Sequence, residues 1–172
     1  AVINPFFVLP PTDADDRRQG PIRPATRRPD EPAALRAMAW IAMDLEQLTY
    51  AINGAVFEVN RVLGPGFLEK VYENALLVEL NRQGIKAQAQ VPLRVSYKSQ
   101  IVGDYLADLV VDDRVIVELK TVDRIEKIHE AQILNYLKAT GLKLGLLVNF
   151  KHAKADIKRL VYDLPEDNVV GK

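Results

Sequence analysis

Two apolar runs joined by a pair of aspartates constrain this chain more than any other feature. Residues 104–111 and 114–121 are rich in Val, Ile, Leu and Tyr, which favour extended structure, and Asp112-Asp113 supplies turn chemistry between them. They read as a hairpin. Side chains alternate along a strand, so Glu118 and Lys120 fall on one face. If Asp112-Asp113-Arg114 form a three-residue connection, Val111 pairs with Val115 and Asp108 lies opposite Glu118, with β-carbons about 4.5–5.5 Å apart. A two-residue connection would separate them. Two carboxylates facing each other on a sheet buried by Val, Ile and Leu repel unless a cation or a proton lies between them. The arrangement therefore points to a divalent-metal site. Spacing alone also allows a plainer reading, an ion pair of Glu118 with Lys120 at a strand end and an Asp108 that caps a turn.

The rest of the chain supplies helices for both faces of a sheet. Leu48, Ala51, Ile52, Ala55, Val56, Val59 and Val62 recur at helical spacing until Gly64-Pro65-Gly66 interrupts them. A second helix is expected over 67–83, ended by Gly84. Strands are expected over 91–97, 101–111 and 115–122, consecutive in one sheet. A helix follows over 126–140, with Gly141 as its stop. Residues 144–150 read as a strand apolar on both faces, and therefore parallel to a neighbour; 157–162 read as an edge strand. The sum is an α/β fold, a mixed α+β sheet flanked by helices. Six of the ten prolines lie within residues 1–31. Residues 1–42 accordingly read as an extension, mobile or an arm, with a helix beginning near Pro32, and residues 43–172 as the folded domain.

The run 63–76 contains Gly66, Glu69 and Tyr72. It is similar to the signature of the GxxExxY protein family, a branch of the PD-(D/E)xK nuclease superfamily, and Asp108 with Glu118-x-Lys120 resembles the acidic motif of that superfamily. The resemblance spans roughly residues 44–162. It implies a restriction-endonuclease-like core. It also implies that Asp108, Glu118 and the backbone carbonyl of Leu119 hold Mg²⁺ or Mn²⁺, which prefer hard oxygen donors. Glu69 would be a third acid near the metal, directed inward with Tyr72, Leu76 and Leu80. Its plainer role is to stabilise the positive end of its own helix. Lys120 would orient or deprotonate the attacking water and stabilise charge in the transition state. Gln132 and Tyr136, one face of the later helix, would position a phosphate or water. His129 shares that stripe and reads as a half-exposed surface residue. Lys151, His152, Lys154, Lys158 and Arg159 form the densest basic cluster, either a phosphate track or the charged edge of a sheet.

Composition bounds the function. The chain has 172 residues, 23 basic and 23 acidic, and no cysteine. Disulfides, thiolate metal sites and a cysteine nucleophile are excluded. Zero net charge weakens strong autonomous duplex binding, because nonspecific affinity comes from phosphate neutralisation, so a protein partner or a homo-oligomer is expected to assist targeting. No segment approaches a membrane span and a cytoplasmic protein is the expectation. The resulting reading is a metal-dependent nuclease acting on DNA ahead of RNA. Its rival is a nuclease-fold subunit that binds nucleic acid or a larger protein complex without cutting.

Overall fold

Asp44 accepts from the Gln47 amide while the Gln47 side chain answers on the Asp44 N–H, and this reciprocal cap opens α1 (Leu45–Leu63) in a computed structural model that describes residues 43–162. The extension read at 1–42, with its helix from Pro32, lies outside the described residues. The α1 stripe of Leu48, Ile52, Ala55, Val56 and Val59 is buried, and the helix ends at Gly64, whose φ of 67° favours glycine. A second helix, α2 (Glu69–Arg82), buries Tyr72, Leu76 and Leu80 and is followed by Gly84 in left-handed backbone.

Five strands form one sheet in chain order: β1 (Ala87–Tyr97), β2 (Gln100–Val111), β3 (Val115–Lys120), β4 (Leu144–Asn149) and β5 (Asp156–Val161). Between β3 and β4 runs α3 (Lys127–Thr140), so that these two strands are parallel, with Val115 beside Leu144 and Lys120 beside Asn149. The other pairings are antiparallel. The sheet is therefore mixed, as expected. β1 starts at Ala87 rather than 91, because pairing with β2 recruits Ala and Gln residues whose own strand preference is weak. It is an edge strand, the place where Pro92 is tolerated.

The β2–β3 connection is the three-residue one, with Val111 on Val115, Val110 on Ile116 and Leu109 on Val117. Asp112 and Asp113 both take positive φ, 52° and 54°, which aspartate accepts more readily than bulky residues. The recorded β2–β3 ladder reaches no further than Leu109. Beyond it, β1 and β2 continue as a two-stranded arm.

Each face of the sheet has its own core. Val115, Val117, Leu119, Leu144, Leu146 and Val148 pack with α1 and α2, whereas Ile116 and Leu147 pack with Ile133, Tyr136 and Leu137 of α3. α3 lies so close to β4 that a β-carbon built on Gly145 would stand 2.4 Å from Ile133 Cγ2. Among the described residues no helix is long and apolar enough to cross a membrane.

Candidate active site

β3 presents Glu118 on the α3 face at the end where its ladder with β2 has stopped. Its residue is 2% exposed. Oε1 accepts from Lys120 Nζ at 2.9 Å and from Gln132 Nε2 at 2.7 Å. Oε2 is buried and has no hydrogen-bond partner among the described residues. Gln132 Nε2 also reaches the Tyr136 hydroxyl at 2.8 Å, so Lys120, Glu118, Gln132 and Tyr136 form one polar chain from strand to helix. Asp108 arrives from β2, and its Oδ2 accepts from the Leu119 N–H at 2.8 Å where the strand ladder gives out. A side chain thus occupies a backbone donor at the strand end.

Burial dominates the electrostatics. It raises Glu118 to about 6, helped by the Asp108 charge and opposed by Lys120. Asp108 is raised as well, by burial first, against the Leu119 amide and Lys120, which lower it. Burial also raises Tyr136. Two acids with raised affinity for protons share an excess of negative charge that a single lysine does not cancel.

Glu69 departs from its expected inward course. It is exposed, at the first residue of α2, where the helix face carrying Tyr72 and Leu76 runs past the edge of the core. Its Oε1 nonetheless accepts from the Thr121 N–H at 3.0 Å, fastening α2 to the chain just after β3. The inward acid of this helix is Glu73, one turn later and 3% exposed. Lys70 and Gln90 donate to its two oxygens. Gln90 sits within β1 at a φ of 54°, in the gap between the Ala89–Leu109 and Val91–Ala107 pairs, directly across from Asp108. Sequence reading missed Glu73, whose one signal is polarity on an otherwise core-facing helix stripe, and Gln90, its partner in β1. It also missed Asn149, 1% exposed, which accepts from Val122 N and donates to Val122 O, and so fixes the segment leaving β3. A polar residue ending an all-apolar strand was the available clue.

The remaining singled-out residues separate from the site. Tyr72 is a core aromatic, stacked on Phe150 at 4.3 Å, with its hydroxyl donating to Gly64 O and accepting from Phe67 N. His129 accepts from the Glu126 N–H and caps α3. The basic cluster is dispersed: Lys151 faces Asp123, Lys154 lies over Phe57, Lys158 reaches Glu130 of α3 and Arg159 reaches Glu46 of α1. It forms no single track.

The sequence model of the PD-(D/E)XK nuclease superfamily matches residues 46–160. The chain belongs to that superfamily. Its mixed five-stranded sheet flanked by helices is the restriction-endonuclease-like core, and the matched span contains Glu69, Asp108, Glu118, Lys120, Gln132 and Tyr136. Nucleases of this superfamily generally use divalent metals. Among solved structures the chain is similar to SSO0001, at 15% identity over 78% of this chain and 77% of that one with a TM-score of 0.46. It is also similar to an alkaline exonuclease (LHK-Exo) from Laribacter hongkongensis, at 12% identity over 76% of each chain with a TM-score of 0.38. No curated protein matches it significantly in sequence.

Proposed function

We propose that this superfamily member is a divalent-metal-dependent nuclease of the GxxExxY branch, hydrolysing phosphodiester bonds in DNA ahead of RNA. The observation that carries the reading is Glu118 Oε2, a buried carboxylate oxygen with no hydrogen bond of normal geometry among the described residues, beside a second acid, Asp108. Such an oxygen is costly unless a cation or proton meets it.

The residues fit a hard cation. Asp108, Glu118 and the Leu119 carbonyl are oxygen donors, which suit Mg²⁺ or Mn²⁺ rather than softer ions. No cluster of three or more acidic, histidine or cysteine side chains is arranged to hold a metal among the described residues. Mg²⁺ commonly retains several waters and needs only one or two carboxylates. When bound, the ion would polarise the scissile phosphate and acidify a water.

The protein's own groups then have distinct tasks. Lys120, held 2.9 Å from Glu118, would stabilise charge on the phosphate and exchange a proton with the attacking water. Gln132 orients Glu118 and Tyr136 together, and the Tyr136 hydroxyl would donate to a phosphate oxygen. Glu69, already bonded to Thr121 N, would add negative charge at the outer rim.

Cleavage of single-stranded, duplex and flap DNA and of RNA, with Mg²⁺, Mn²⁺ or EDTA, tests this. Metal-dependent cutting is expected, with Glu118→Gln and Lys120→Ala each reducing it by about a hundredfold or more. Full cleavage by Lys120→Ala would remove this site from the chemistry. Zero net charge favours the rival, a nuclease-fold subunit that binds without cutting, and binding with no cleavage under any metal would establish it.

A further inference from the structure

We infer that the groove between the β1–β2 arm and α3 binds single-stranded nucleic acid and leads it to Glu118 and Lys120; the last step rests on the nuclease reading, the binding does not. The groove encloses about 1040 Å³, with Arg94 and Tyr105 of the arm on one side and Gln132, Asn135, Tyr136 and Lys138 of α3 on the other. Two of these side chains already belong to the acid cluster. Gln132 donates to Glu118 at 2.7 Å and to the Tyr136 hydroxyl at 2.8 Å, so one wall of the groove is bonded directly to the acid cluster.

Its lining carries Arg94 and Lys138 and no carboxylate, in a chain whose acids and bases balance overall. Among the described residues the ion pair of Arg94 is a 3.9 Å contact with Asp104, and both side chains are largely exposed. The lining thus offers cationic groups to a phosphate, with Asp104 beside Arg94. Tyr105 is 51% exposed, and its ring lies 5.7 Å from that of the buried Tyr136, tilted by 52°. Tyr105 is therefore half open to solvent beside a buried aromatic neighbour.

These features favour a single strand over a duplex. Base stacking on an aromatic ring requires an unstacked base, and duplex base faces are covered by their neighbours. Two cations neutralise few phosphates, whereas duplex affinity without base stacking depends on many. The neutral polar groups of Ser96 and Asn135 can meet the edges of splayed bases. DNA and RNA strands share this chemistry.

The test measures binding in EDTA and cleavage in Mg²⁺ for one sequence as a deoxyribo strand, a ribo strand and a duplex, using the full chain. Single strands are expected to bind at least about tenfold more tightly than duplex, with Tyr105→Ala weakening them about tenfold and Tyr105→Phe leaving them unchanged, because the ring is the contact. Lys138→Ala should weaken binding and flatten its salt dependence. The ratio of ribo to deoxyribo binding assigns the strand type. Duplex binding equal to single-strand binding, or Tyr105→Ala equal to the parent, overturns the inference. Should Tyr105→Ala unfold, the surface variants Arg94→Ala and Lys138→Ala carry the test, and parental binding by both overturns it. The expected binding pattern with no cleavage would end the nuclease reading and leave the groove; cleavage indifferent to Tyr105 would do the reverse.

Discussion

Glu118 sets the energetics at the scale of the residue. A carboxyl raised from near 4.5 to about 6 holds its proton more tightly in the folded chain than in the unfolded one. Its contribution to stability is therefore fully present below pH 4.5 and lost as pH rises through about 6. At about 1.4 kcal/mol per tenfold, the ionised group costs the metal-free fold about 2 kcal/mol at pH 8. Glu118→Gln should accordingly raise the melting temperature in EDTA at pH 8, with the gain vanishing near pH 4.5. Equal melting at both pH values would show that Glu118 is not destabilised by its burial. The nearness of Asp108, Glu118 and Lys120 was legible because strand alternation and one turn relate them locally. Glu73 and Asn149 were not, since their partners Gln90 and Val122 lie 17 and 27 residues away and nothing local announces the contact. Glu69 was misjudged for a related reason: helical periodicity gives its face and is silent on where the core beneath that face ends.

At the scale of the element, the contact of β4 with α3 is the tightest constraint. Gly145→Ala would set a methyl 2.4 Å from Ile133 Cγ2, so the helix or the side chain must shift. A loss of about 1–3 kcal/mol is expected, as for overpacking elsewhere. Ile133→Ala in the same chain should recover part of it. Chemical denaturation of the two single variants and the double reads the coupling, and simple additivity would mean that the two groups do not meet. The same closeness fixes Gln132 and Tyr136 over Glu118, so Gly145→Ala should also lower cleavage. Helix and strand order followed from periodicity and from the Gly64, Gly84 and Gly141 stops. The start of β1 did not, because its first residues are held by pairing with β2 rather than by residues that favour strands.

At the scale of the molecule, many charges among the described residues are cancelled pair by pair. Lys158, Arg159 and Lys151 of the expected basic cluster each meet an acid, on α3, on α1 and at Asp123 respectively. Uncompensated negative charge is left at Asp108 and Glu118, which makes the fold responsive to cations. Mg²⁺ at a hundred times its dissociation constant should stabilise the folded state by about 2.7 kcal/mol, seen as a rise in melting temperature that Glu118→Gln abolishes. An equal rise in parent and variant would place the ion elsewhere. Gly66, Glu69 and Tyr72 also have a part that does not depend on charge. Gly66 takes a φ of 111° at the turn, while Tyr72 ties Gly64 to Phe150 and Glu69 clasps Thr121, two fastenings that join the α1–α2 corner to the sheet whether or not any phosphate is cut. A copy of this gene that lost Lys120 would need them just as much. In a newly sequenced genome, then, the Gly66-Glu69-Tyr72 pattern is a marker of architecture, and under the proposed chemistry inactive descendants would be recognised at Asp108, Glu118 and Lys120 instead.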